Sequence, residues 1–354
     1  MPRSALAGVP AYVAGKPPAP RPGLPTFKLS SNENPYPPLP EIVAAVADAA
    51  ARMNRYPDMG SVALYDALAE RLDVPRSDLA AATGSVALLY HLVQAFCEPD
   101  DEVLFAWRSF EAYPIATAVC GARSVQVPVT ADGRHDLDAM AEAITDRTRI
   151  VLVCTPNNPT GPAVDQAEME AFLQRVPSDV VVVIDEAYRE FVRSDDPLDA
   201  LALYRGRRNV AVLRTFAKAS GLAGLRVGYL VAPEPVAVAV KACALPFGVS
   251  AVAQAAVVAA LGCEEALAER VESIVVERGR VAAALREQGW TVPDPQGNFV
   301  WLPLGDRSQE FAATAEHEGI MVRPYATDGV RVTVGEPDGN DVFLRVAGAF
   351  EPKA

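Results

Sequence analysis

Histidine is scarce in this chain: three residues in 354, His91, His135 and His317, lie far apart in sequence. A histidine-rich metal centre or a Ser-His-Asp triad has little to draw on, and no metal is expected. Cysteine is nearly as sparse. Cys97, Cys120, Cys154, Cys243 and Cys263 show no CxxC spacing and are odd in number. That pattern fits reduced, buried thiols rather than a disulfide framework, and it makes the cytoplasm the expected compartment. Basic runs are missing too, and the formal net charge is −13 with a pI near 4.8. Neither nucleic acid nor an anionic membrane surface is therefore an expected partner. No uncharged stretch reaches membrane-spanning length; the most apolar one, 251–263, is alanine-rich and too short. Arg3 has no apolar run behind it, so no signal peptide is expected.

What is present is ample apolar material, 50% of the residues. A chain of this length divides into two domains more readily than it grows one core. The start, through Asn34-Pro35-Tyr36-Pro37-Pro38, is too proline-rich for regular structure and reads as an extended arm. From Pro40 the spacing of Ile42, Val43, Val46, Ala49, Ala50 and Met53 predicts a helix that ends before Tyr56-Pro57. Between Leu79 and Ala232, six short apolar runs alternate with amphipathic stretches: 103–105, 124–127, 150–154, 180–184, 210–213 and 227–231. Runs apolar on both faces suit strands of a mostly parallel sheet covered by helices on each side, an α/β domain. After Pro246 the order becomes long helices over 251–285, broken near Gly262, then strands at 299–302, 320–323 and 330–334. The expected division is an arm at 1–35 belonging in part to the small domain, a large domain at 36–246, and an α+β small domain at 247–354 carrying a long linking helix.

Three polar clusters follow apolar runs, where ligands of open parallel sheets bind. Thr83-Gly84-Ser85-Val86 precedes the amphipathic stretch 87–96. Glycine, hydroxyl and free backbone N–H groups at a helix N-terminus suit a phosphate dianion, and suit plain N-capping as well. Pro156-Asn157-Asn158-Pro159-Thr160-Gly161 follows the run 150–154, and Asp185-Glu186-Ala187-Tyr188 ends the run 180–184. A carboxylate closing a buried strand is costly unless it meets a cation, such as a protonated heterocyclic N–H. The other reading of Asp185 is a cap for the segment after it. In the third cluster, Arg214 to Tyr229, Lys218 sits among small and apolar neighbours. Desolvation there favours the neutral amine that condenses with aldehydes, whereas a lone lysine is usually a surface residue. The run Gly221-Leu222-Ala223-Gly224-Leu225-Arg226-Val227-Gly228 weighs for a site, and Arg226 offers a phosphate a second charge.

Taken in order, Asn34-Pro35-Tyr36, Tyr56-Pro57-Asp58, Gly84-Ser85, Asn158-Pro159-Thr160-Gly161, Asp185-Glu186-Ala187-Tyr188, the Lys218 to Gly228 run, Asn298-Phe299 and Arg331-Val332-Thr333-Val334-Gly335 resemble the fold type I, histidinol-phosphate aminotransferase-like family. The resemblance covers nearly the whole chain. It implies a seven-stranded, mostly parallel sheet with helices on both faces, a smaller α+β domain, and pyridoxal 5'-phosphate as cofactor. It also implies Lys218 as the covalent anchor and proton carrier, Asp185 against the ring nitrogen, and Asn158 and Tyr188 at the ring's phenolate oxygen. Phosphate would fall to the amides of Gly84, Ser85 and Val86, to Thr215 and Arg226, and to Tyr56 from the neighbouring subunit of a homodimer with shared sites. Phe110 matches the position whose ring stacks on the cofactor, although a core phenylalanine fits the sequence nearly as well. Arg331 matches the grip on the substrate carboxylate, joined by Asn158, Tyr12 and Arg323. Ala217 departs from the pattern, since many relatives carry a hydroxyl beside the lysine.

Within the family, the segments Trp107 to Pro114, Pro246 to Ser250 and Asp328 to Arg331 resemble the actinobacterial aromatic amino-acid aminotransferase branch. That resemblance implies exchange of amino groups between phenylalanine, tyrosine or tryptophan and 2-oxo acids such as 2-oxoglutarate. The competing expectation is a histidinol-phosphate aminotransferase, for which Arg323 is a candidate extra anchor. Arg331 argues against a decarboxylase of the same fold, and the full set of catalytic positions argues against a domain that only binds.

Overall fold

The computed structural model describes residues 22–350 together with Leu6, Val9, Tyr12, Gly15 and Ala19. The first 21 residues of the arm expected at 1–35 therefore lie outside the described residues, apart from those five positions. The chain opens with β1 (Phe27–Lys28), α1 (Pro40–Ala50), α2 (Val62–Leu72), β2 (Leu79–Ala82) and α3 (Ser85–Phe96). Alternation follows through β3 (Glu102–Trp107), α4 (Ala112–Cys120), β4 (Arg123–Pro128), α5 (Leu137–Glu142), β5 (Thr148–Cys154), α6 (Gln166–Arg175) and β6 (Val181–Asp185). It continues with α7 (Ala200–Gly206), β7 (Val210–Thr215), β8 (Gly228–Val231) and α8 (Glu234–Ala242). The remainder comprises α9 (Ala251–Leu261), α10 (Glu264–Glu287), β9 (Phe299–Leu302), α11 (Ser308–His317), β10 (Ile320–Met321), β11 (Arg323–Tyr325), β12 (Gly329–Thr333) and α12 (Pro337–Ala349).

Seven strands form the main sheet in the order β2-β8-β7-β6-β5-β3-β4. Only β8 runs against its neighbours. The expected mostly parallel α/β sheet is thus what the chain builds. Side chains of a strand alternate between faces, and here both faces are covered. Val151 and Val153 of β5 and Val182 and Ile184 of β6 enter one core cluster. Ile150, Leu152, Val181 and Val183 enter the cluster on the other face. A three-stranded antiparallel sheet, β11-β12-β9, packs in a separate cluster with α11, α12 and the end of α10. The parallel pair β1-β10 ties the start of the chain to that unit. Tyr188, Phe191 and Ala219 meet Val271, Ile274, Phe299 and Val334 in a fourth cluster that joins the two.

Several sequence expectations are corrected. Helix α1 ends at Ala50, short of Met53, and turns occupy 51–54. The proline-rich start is not wholly irregular, because Phe27–Lys28 pairs with Ile320–Met321. The run 320–323 divides at Val322 into β10 and β11, which belong to different sheets. Strand β2, Leu-Ala-Ala-Ala, is not among the apolar runs, since alanine has little β preference and only its partner β8 makes it a strand. All five cysteines are free, but only Cys154 is fully buried. The helical stretch after Pro246 does break near Gly262, with a bend of 84° between α9 and α10. No single helix among the described residues is long and apolar enough to cross a membrane.

The backbones of β8 and α3 meet at a glycine. Gly228 starts β8 opposite both Ala82 and Thr215, directly beneath the first turn of α3. A Cβ there would overlap the Ser85 amide nitrogen and stand 2.8 Å from the Gly84 carbonyl carbon, both backbone atoms that cannot rotate away. Gly228→Ala is therefore expected to lower stability by about 1–3 kcal/mol, read as a shifted urea midpoint with an unchanged slope. A midpoint equal to the parent's would contradict this packing.

Candidate active site

The carboxyl ends of β5, β6 and β7 lie side by side, with Cys154 opposite Asp185 and Asp185 opposite Leu213. Asp185 is 5% exposed. Its Oδ2 accepts a hydrogen bond from Tyr113 Oη at 2.8 Å, while its Oδ1 is buried with no partner among the described residues. Burial pushes its pKa up to about 6, with the Tyr113 hydroxyl opposing the rise. Glu186, the next residue, is treated differently: Arg214 Nε and Nη2 both reach its Oε2 at 2.8 Å in a buried pair. The capping alternative for Asp185 fails, because the short 3-10 turn that follows spans Arg189–Phe191 and is preceded by Tyr188.

Lys218 lies in the segment after β7 and is no surface residue. Its Nζ donates to the Ser31 carbonyl at 3.0 Å and stands 5.7 Å from the centre of the Tyr188 ring. Burial, reinforced by the Arg331 charge and opposed by Glu33, lowers its pKa from 10.5 to about 7. Tyr188 Oη accepts from Asn32 Nδ2 at 3.0 Å. Burial raises the pKa of that phenol, so it stays protonated near neutrality.

Helix α3 begins with Ser85, two residues before the amphipathic stretch 87–96 expected from the sequence, and Gly84 caps it at φ +86° with no side-chain cap bond. A Cβ on Gly84 would stand 2.6 Å from Arg226 Nη2, so the glycine lets the guanidinium close on the helix N-terminus. Arg226 itself adopts φ +51°, and its Nη1 donates to the Ala223 carbonyl. Ser85, Val86, Thr215, Ala217 and Arg226 line one wall of a cavity of about 250 Å³, which Asp185 and Lys218 also line. Thr215 Oγ1 accepts from the Ala217 amide at 3.1 Å.

Strands β11 and β12 contribute Arg323, Tyr325 and Arg331 to the same cavity. Arg331 is 6% exposed. Its Nη1 donates to Asn158 Oδ1 at 2.6 Å and its Nη2 to the Ser30 carbonyl at 2.8 Å, whereas Nε is buried without a partner among the described residues. Arg323 Nη2 donates to Glu111 Oε2 at 2.6 Å. Tyr12, Phe110, Asn158 and Tyr188 line the cavity as well. Phe110 meets Tyr113 edge to face at 5.6 Å between ring centres. Tyr56 is not brought to this cavity; it is 82% exposed and stacks on Phe247 at 4.6 Å.

Sequence alone assigns no role to Tyr113, Ser30, Ser31, Asn32, Glu111 or Tyr325. Asn32-Glu33-Asn34, a polar triplet within a proline-rich stretch, is a usable signal for the first wall. A backbone carbonyl leaves no signal in residue type, so the acceptors at Ser30 and Ser31 are not legible.

Comparison with known proteins adds to this geometry. Residues 25–346 match the family model for aminotransferase class I and II. A protein named aromatic amino acid aminotransferase from Streptomyces avermitilis is 59% identical over 98% of this chain and 97% of its own length. One of the same name from Rhodococcus jostii is 53% identical over 99% and 96%. Among solved structures, the histidinol-phosphate aminotransferase from Sinorhizobium meliloti in complex with pyridoxal-5'-phosphate superposes with a TM-score of 0.84 at 27% identity, over 91% of this chain and 90% of that one.

The lowered Lys218 pKa has a direct consequence, because an amine reacts with aldehydes only when neutral, that is, above its pKa. Reductive methylation of the cofactor-free protein by formaldehyde with cyanoborohydride as hydride donor, followed at Lys218 by peptide mass spectrometry, is expected to rise with pH through a midpoint near 7. A midpoint at the ordinary lysine value of 10.5 would contradict the burial argument.

Proposed function

Because the chain belongs to the aminotransferase class I and II family, we propose that it moves amino groups between aromatic amino acids and 2-oxo acids such as 2-oxoglutarate, using pyridoxal 5'-phosphate. The observation that carries the cofactor assignment is the orphaned Asp185 Oδ1, a buried acceptor that lines the same cavity as a lysine whose amine is half neutral near pH 7. A protonated ring nitrogen is the donor this oxygen lacks. The amides at Ser85 and Val86, the Thr215 hydroxyl and Arg226 suit the phosphate, whereas the Gly84 amide expected to join them donates to the Ala82 carbonyl at 2.7 Å. Asn158 and Tyr188 suit the ring's phenolate oxygen, and Phe110 suits its face. When bound, pyridoxal 5'-phosphate supplies an aldehyde for amines to condense with and a cationic ring that stores an electron pair.

The chain's own residues then divide the work. Lys218 Nζ, with its pKa lowered to about 7, would hold the group covalently and, as a free amine, would take the proton from the substrate α-carbon and deliver it to the carbon of the cofactor's aldehyde. Asp185, as carboxylate, keeps the ring nitrogen charged. Arg331 offers its planar fork to the substrate carboxylate, and the partnerless Nε gives that fork an unused donor. Tyr12 and Arg323 complete the substrate wall. The proposal includes a homodimer in which Tyr56 reaches the neighbouring copy's phosphate site. The exposure of Tyr56, Met59, Leu245 and Phe247 supports it, since a monomer gains nothing from such a set of exposed large side chains. Five free thiols fit a cytoplasmic setting.

Aromatic specificity rests on the 50–59% identity to proteins of that name, against 27% to the histidinol-phosphate enzyme. With 2-oxoglutarate as acceptor, phenylalanine is expected to be turned over with a kcat/KM at least about tenfold above that of histidinol phosphate. The reverse ranking would move the reading to a histidinol-phosphate aminotransferase.

A further inference from the structure

Arg323 on β11 and Arg331 on β12 are direct cross-strand partners. Their guanidinium carbons lie 5.5 and 5.8 Å from the centre of the same Tyr325 ring. Like charges placed opposite one another repel, so the two must be handled differently. Among the described residues Arg331 donates to neutral oxygens, of Asn158 and Ser30, and no carboxylate pairs with it. Arg323 donates to the Glu111 carboxylate at 2.6 Å in a pair that is 9% exposed on the arginine side. Glu111 precedes the first turn of α4 but makes no side-chain cap bond there, so its carboxylate is committed to Arg323 rather than to the helix. All three side chains line the cavity.

A carboxylate carries one negative charge, whereas a phosphate monoester carries about 1.5 to 2 near neutrality and three acceptor oxygens. Two bare guanidiniums side by side would match the phosphate; one bare and one neutralised match the carboxylate. We propose that Glu111 sets the charge of the anion this end of the cavity accepts, fitting it to an amino-acid carboxylate and against a phosphate monoester by neutralising Arg323 beside Arg331. The inference rests on the aminotransferase reading above and names a specificity-determining residue within it.

The test compares the unaltered holoenzyme with Glu111→Gln, Arg323→Gln and the double variant, with phenylalanine or histidinol phosphate as amino donor. E111Q is expected to raise the ratio of kcat/KM for histidinol phosphate to that for phenylalanine by at least about tenfold, the worth of one charge-assisted hydrogen bond. The double variant is expected to lose that gain, because the freed guanidinium is what produces it. R323Q alone leaves Glu111 unpaired against Arg331, so it is expected to raise KM for phenylalanine more than it lowers kcat, and adding E111Q is expected to bring KM back down. An unmoved ratio in E111Q, or an R323Q defect that the second change does not reverse, overturns the proposal and leaves the pair a packing feature. If the unaltered enzyme does not turn over phenylalanine, the functional reading falls; normal phenylalanine turnover with an unmoved ratio removes only the role of Glu111.

Discussion

A carboxylate buried at the end of β6 with one oxygen bonded and the other bare is the constraint around which this molecule is arranged. Such a group costs several kcal/mol unless a cation meets it. The fold is able to supply one, as it does one residue later, where Arg214 closes on Glu186. At Asp185 it supplies the Tyr113 hydroxyl and the Ala187 amide but no cation, and burial raises the pKa to about 6. A site that compensates one acid and leaves its neighbour open is prepared for a positively charged group from outside. The proposed cofactor ring is such a group.

The other charges follow the same logic. Lys218 is desolvated so that its amine is reactive near neutral pH, and Arg331 bonds to neutral oxygens, with no carboxylate against it among the described residues. The segment 30–34 ties these parts together. Its backbone carbonyls at Ser30 and Ser31 hold Arg331 and Lys218, the Asn32 side chain holds Tyr188 and Thr333, and Asn34 reaches the Ala219 carbonyl. One short stretch, anchored by β1 to the sheet pair at β10, thereby spans the main sheet, the antiparallel sheet and the reacting groups. Displacing it would disturb four side chains at once, which is a stronger restraint on their geometry than any single hydrogen bond.

Much of this is legible in the residues. Apolar runs ending in polar clusters mark β5, β6 and β7, and the chemistry of Asp185 and Lys218 follows from placing a charge at the end of a buried strand. The choice between cap and counter-charge at Asp185 is not legible, because both put an acid at the same position; the turn at Arg189–Phe191, whose N-cap is Tyr188, removes the cap. Tyr113 looks like an ordinary apolar-helix residue, and its bond to Asp185 joins positions 72 apart. The pairing of Arg323 with Glu111 spans 212 positions and depends on where α4 meets β11, information that no local pattern carries. Strand β2 escapes a sequence reading for a simpler reason: three alanines have no preference for a strand until β8 pairs with them. Tyr56 carries a motif whose setting in a single chain, exposed and stacked on Phe247, is no part of that chain's own cavity.

Whether Asp185 holds a cationic ring is open to direct measurement. With pyridoxal 5'-phosphate labelled with ¹⁵N in its ring and bound to the protein at a pH of about 7.5, the nitrogen chemical shift reports whether that nitrogen carries a proton. The protonated value is expected in the unaltered protein, and its loss in Asp185→Asn, which cannot offer a negative charge. An unprotonated ring nitrogen in the unaltered protein would contradict the role given to Asp185.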